Sequence, residues 1–174
     1  MIWQSLKKRC ARRDGTTAVE FSLIGLPFVL LIVGTIEICI LFLAGSLMEG
    51  AVYDASRIIR TGQIQDAADA EQAFVDAICD HTVALLDCDE FQYDVRVLSS
   101  FGEAADDDAL VDDEGNLVDP EFDTGGVSDI IMVRVSYRYP MMTPLIGDIF
   151  GQYEGNTRLL VATTVFQAEP YQFE

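Results

Sequence analysis

After Lys8 the 174-residue chain contains no lysine, and it has one histidine in all, His81. A zinc centre draws three or four ligands from nitrogen, thiolate and carboxylate, and a lone histidine without a second thiol pair offers little to build one. No nucleophile motif and no phosphate-binding glycine loop is present either, which argues against an enzyme. Basic residues are scarce after the first fifteen positions, where six arginines face 28 acids, a formal charge of −22. Such a surface repels nucleic acid and anionic lipid headgroups, so nucleic-acid binding is a poor reading. Nothing in the chain calls for a cofactor.

What is present begins at the N-terminus. Residues 1–15 hold Lys7, Lys8, Arg9, Arg12 and Arg13 against one acid, Asp14. Between Phe21 and Leu43 follow sixteen Leu, Ile, Val or Phe residues and a single charge, Glu37. At about −0.3 to −0.6 kcal/mol each, these side chains favour membrane insertion by roughly 5–10 kcal/mol, and one central Glu opposes it by no more than about 3. The positive-inside rule keeps the basic head cytoplasmic and sends the rest outward. A transmembrane segment over about 21–46 is therefore expected, with Pro27 kinking it. Ala44-Gly45-Ser46 faintly resembles a signal-peptidase site, but the apolar run is far longer than an ordinary signal core, so a retained anchor is the reading.

The junction Gly15-Thr16-Thr17-Ala18-Val19-Glu20-Phe21 places a carboxylate at the mouth of that helix, which is costly unless it has a task. Glu37 is expected to face a partner helix or a polar group of an assembly, or to reach toward the far interface. Beyond the span, Leu47, Ala51, Ala55, Ile58 and Ile59 keep helical spacing, and Thr61-Gly62 predicts a stop. A second amphipathic helix is expected from Asp66 or Asp69, with Phe74, Ile78 and Leu85 as its stripe beside Val75, Cys79 and Leu86. Strands follow at 91–97, at 131–139 ended by Pro140, and from 159. Helices followed by strands predict an α+β fold with a small antiparallel sheet of about three strands.

Three further stretches matter. Glu103 to Asp123 carries ten acids in 21 residues and no base, and it predicts a solvated or partly disordered loop. It fails the EF-hand pattern, since aligning Gly115 puts Leu110 in the first ligand position. The stretch from Met141 to Phe150 is unusually apolar for a connection, fit to cover the sheet or to touch membrane or partner. Cys79 and Cys88 are the two cysteines outside head and span, and export would place them where pairing is expected. Nine positions on one straight helix span about 13.5 Å, so a bridge requires the helix to end near Leu86-Asp87 and fold back.

The order of basic leader, Gly15, Glu20, aromatic Phe21 and long apolar helix resembles a type IV prepilin. The run Thr16-Thr17-Ala18-Val19-Glu20-Phe21-Ser22-Leu23-Ile24-Gly25-Leu26-Pro27-Phe28, with Gly34-Thr35-Ile36-Glu37, resembles specifically the TadE-like pseudopilins of the tight-adherence (Flp) pilus. Residues 129–137, Pro140, Thr143-Pro144-Leu145, the ending 163–171 and the Cys79–Cys88 pair fit the same family. The resemblance implies a cut between Gly15 and Thr16 by an inner-membrane prepilin peptidase, and an assembly role for Glu20 and Phe21. It divides the chain into a leader at 1–15, a pilin helix at 16–62 and a periplasmic domain at 63–174. It implies a single-pass inner-membrane protein that partners the peptidase, other pilins or pseudopilins and the pilus assembly platform, in support of adhesion. The competing expectations are a permanently anchored periplasmic binding protein, never processed, and a pseudopilin of a secretion machine.

Overall fold

A computed structural model of the chain describes residues 14–82, 84–106, 111–112, 115–153 and 156–170. It divides into two compact units, Met1–Ile38 and Cys39–Glu174. In the first unit the described residues belong to one element, the start of helix α1 (Asp14–Arg60). The portion Thr16–Arg60 is long and apolar enough to cross a membrane, and its most apolar window is largely exposed in the isolated chain. Two of its hydroxyls bond back to the helix itself. Ser22 Oγ donates to the Ala18 carbonyl at 2.7 Å and Thr35 Oγ1 to that of Leu31 at 2.8 Å, the back-bonding that lets hydroxyls enter an apolar helix. The helix runs unbroken through Pro27.

The second unit has an α+β core. The later half of α1 lays Ala44, Met48, Ala51, Val52, Ala55 and Ile59 on the sheet. Three of these six residues are alanines. At Gly62, φ is 77°, a left-handed conformation that costs glycine nothing, and its N–H donates to the Ile59 carbonyl at 3.0 Å to end the helix. A short 3-10 turn (Gln63–Asp66) leads to α2 (Ala70–Thr82). Asp69 caps α2, its Oδ1 accepting from the Gln72 N–H at 3.1 Å. Phe74 and Ile78 of α2 are buried.

The sheet consists of β1 (Gln92–Leu98), β2 (Ile130–Pro140) and β3 (Thr157–Gln167), in the order β1-β2-β3 and antiparallel throughout. Val95 faces Val133, and Val133 faces Thr164, so β2 is central. Its Ile131, Val133, Val135, Tyr137 and Tyr139 form the floor under α1. Each fully buried Ile or Val contributes about 1.5–3 kcal/mol relative to exposure, which makes this helix-on-sheet contact the centre of stability. The remaining helices are short, α3 (Glu103–Asp106) and α4 (Pro144–Phe150).

Two expectations need correction, and two further features of the strands and connections were not anticipated. Helix α2 ends at Thr82, short of Leu86-Asp87, and Leu85 and Leu86 reach the core from a turn in which both N–H groups donate to the Thr82 carbonyl. The acidic stretch 103–123 is not simply solvated. Although 107–110 and 113–114 lie outside the described residues, its distal part docks on β1. There Val95 N–H donates to the Glu121 carbonyl and Asp123 N–H to the Val95 carbonyl, both at 2.7 Å. These bonds cover an otherwise open sheet edge. Strand β2 is buried on both faces, because Met132, Arg134 and Ser136 are buried along with the alternating apolar set. The apolar connection after Pro140 is not a bare loop, since it contains α4.

Candidate assembly helix

Helix α1 carries five of the residues singled out by sequence. Gly15 and Thr16 lie in its first turn. Glu20 and Phe21 follow one turn on, both exposed. Thr16 and Glu20 are four positions apart and share one helix face, with about 5–6 Å between their Cβ atoms. The ring of Phe21 lies against Gly25, where an added Cβ would stand 3.6 Å from the ring. None of the described residues pairs with Glu20.

Glu37 is different. It is 5% exposed in the isolated chain. Gly34, Glu37, Ala44, Met48, Ala51 and Ala55 fall on one helical stripe, and all are buried. Glu37 is therefore on the buried side of α1 and not on its exposed side. Glu20 and Glu37 lie seventeen positions apart, about 25 Å of helix, close to the thickness of a hydrocarbon core.

The structure brings Cys79 and Cys88 together as a disulfide with Cα atoms 5.7 Å apart. The turn after α2 achieves this by folding back into the short helical turn Cys88–Glu90. Asp87 steadies the turn, its carboxylate accepting from the Asp89 N–H at 3.2 Å. Cys39 is a free, exposed thiol. Cys10 and the rest of the basic head at 1–13 lie outside the described residues. Among the described residues no group of three or more His, Cys, Asp or Glu is placed to hold a metal ion.

Two polar features escaped the reading of the sequence. On the sheet face away from α1, Asp94 is fully buried between two arginines. Its Oδ1 accepts from Arg96 Nη2 at 2.8 Å and from the Glu121 N–H at 3.0 Å, and its Oδ2 lies 3.8 Å from Arg134 Nη1. The signal was available: an arginine inside the apolar run 130–135 demands a buried counter-charge. The second feature is Tyr93, whose Oη donates to Glu71 Oε1 at 2.6 Å. That hydrogen bond, followed by burial and the negative charges of Glu71 and Asp69, pushes the phenol up to about 12.

Residues 15–57 match the family model of TadE-like proteins. The chain's N-terminal segment is TadE-like. The matched segment spans Gly15, Thr16, Glu20, Phe21 and Glu37, and it ends inside α1. The TadE-like family is pilus-related and structural in character. Comparison with curated proteins and with solved structures found no match.

Proposed function

We propose that this chain is a minor pilin or pseudopilin that acts in biogenesis or priming of a tight-adherence pilus. In this reading the basic head at 1–15 is a cytoplasmic leader, α1 crosses the inner membrane, and the α+β unit stands in the periplasm. A prepilin peptidase cuts between Gly15 and Thr16. The observation that carries the reading is Glu20, exposed on α1 without a partner among the described residues, five positions after Gly15 and inside the matched segment.

A carboxylate in an apolar setting is stable only when something neutralises it. Cleavage would create that group, because the new α-amine of Thr16 stands one helical turn from Glu20 on the same face. The pair can form within one subunit or between neighbours, where a low dielectric strengthens it and makes axial register costly to violate. Loss of five cationic side chains would also remove the cytosolic anchor that holds the helix in place.

Co-expression of the full chain with its prepilin peptidase, followed by N-terminal sequencing of membrane-extracted protein, tests this. The expected N-terminus is Thr16, and Glu20→Ala should be cut normally yet fail to join other pilins in co-purification. A chain that keeps its head is a permanent anchor. Normal co-assembly of Glu20→Ala would leave the register role without support.

A further inference from the structure

The connection between β2 and β3 presents apolar side chains at one pole of the second unit, the pole at which the chain arrives from α1. Strand β3 runs beside the later half of α1 in the same direction. A Cβ on Gly45 would lie 4.0 Å from Leu160 Cδ2, while the Glu169 N–H donates to the Arg60 carbonyl at 2.9 Å. Thr157 precedes Leu160 by three residues, about 10 Å of strand, which brings it to the level of Phe42 or beyond. Pro140 pairs with Thr157, so both ends of the 141–156 connection lie at this level.

The exposed apolar surface there has two sources. On α1, Phe42 and Leu43 end the apolar belt, and the next exposed large apolar side chain along the helix is Tyr53. On the connection, Met142 is 74% exposed and Ile149 is 66% exposed, with Phe150 beside them in sequence. Met141 and Ile146 turn inward onto the core, so α4 is fastened by one face and presents the other. Two of the six arginines of this acidic unit stand at the same pole: Arg138 is exposed near the end of β2, and Arg158 donates to the Phe150 carbonyl at 3.1 Å.

We infer that α4 and Met142 form a lipid-contacting foot, with Met142, Ile149 and Phe150 in the headgroup–acyl boundary of the bilayer that α1 crosses. Arg138 and Arg158 stand at the height of the lipid phosphates, with their stems along the apolar surface. The occupant is lipid because the patch stands at the level of Phe42 and Leu43, exposed apolar residues of the same unit within the expected span. Exposed Asp148 on α4 limits the depth to the boundary and keeps the helix out of the acyl core. The foot gives the domain a second attachment besides α1, so its orientation on the membrane is held from two points. This inference rests on α1 being a membrane span.

Tryptophan quenching in the full-length chain tests it. With Trp3→Phe as background, one tryptophan is introduced at a time by Ile149→Trp, by Phe101→Trp at the opposite pole, or by Phe28→Trp within the span. Each protein is reconstituted in phosphatidylcholine–phosphatidylglycerol vesicles whose acyl chains are brominated near the headgroup or at mid-chain. Ile149→Trp should lose most of its emission to the shallow bromines, Phe28→Trp to the mid-chain bromines, and Phe101→Trp to neither. If Phe28→Trp is quenched and Ile149→Trp is not, the foot is wrong and the span stands. Ile149→Trp shielded from aqueous acrylamide yet unquenched by lipid means a protein covers the patch, which also overturns the inference. If Phe28→Trp is unquenched as well, span and foot fail together. Met142→Trp replaces Ile149→Trp should the latter fail to form its disulfide.

Discussion

Tyr93 connects two elements through one side chain. Its ring packs edge-on to Phe74 and Phe122, with centroids 6.1 Å apart in both pairs, and its hydroxyl reaches Glu71 on α2. The raised phenol fixes the direction of a pH effect. Below the ordinary tyrosine pKa of about 10, both folded and unfolded chains hold the proton, and the bond to Glu71 contributes in full. Between there and about 12 the unfolded chain ionises first, so stability falls as pH rises through that window. Tyr137, raised chiefly by burial, acts in the same direction. Tyr93→Phe is expected to cost about 0.5–1.5 kcal/mol near neutrality and to flatten the alkaline decline. Urea unfolding of the detergent-solubilised chain, followed by circular dichroism on both sides of the window, measures it. An unchanged alkaline slope would remove Tyr93 as the cause.

Among the elements, those with a clear period were legible and those held by backbone were not. The strands alternate in sequence, and β2 lies within a residue of its expected bounds. Helix α2 was overextended because Leu85 and Leu86 continue its apolar spacing, although a turn is what delivers them. The distal acidic stretch docks through the backbone groups of Glu121 and Asp123, about which side-chain charge says nothing; Phe122, packed 5.8 Å from the Phe74 ring, was the overlooked clue. At the assembly helix the order of residues was legible, while the burial of Glu37 was not, because apolar spacing does not say which polar positions lose their solvent. The disulfide acts at this scale. It ties the last turn of α2 to the start of β1, where the Asp87 N–H donates to Tyr137 Oη at 3.3 Å and the Phe91 and Tyr137 rings lie 5.2 Å apart. Replacing Cys79 and Cys88 together by alanine should lower the unfolding free energy by about 2.5–3 kcal/mol in the chain-entropy model. Equal urea midpoints for the double variant and the oxidised chain would show that the loop is already held by these contacts.

For the whole molecule, charge is the organising asymmetry: five cations in fifteen residues at one end and a strongly acidic remainder. Moving a lysine or arginine through the membrane centre costs about 2.5–3.5 kcal/mol on insertion scales, and acids have little influence on orientation. On the proposed reading the head decides which way α1 inserts, and the acidic domain follows. The disulfide offers an internal reporter, since it forms in an oxidising compartment and not in a reducing one. Replacing Lys7, Lys8, Arg9, Arg12 and Arg13 by asparagine should send a fraction of chains into the membrane reversed, with their domain in the cytoplasm. In a Cys10→Ser, Cys39→Ser background, that fraction would keep Cys79 and Cys88 as thiols open to alkylation, while correctly inserted chains would not. Alkylation should rise with each charge removed, and protease added to spheroplasts should digest a correspondingly smaller share of the domain. If all five cations can be lost with neither readout moving, orientation is set elsewhere, and the cytoplasmic placement of Gly15 that peptidase cleavage requires loses its physical basis.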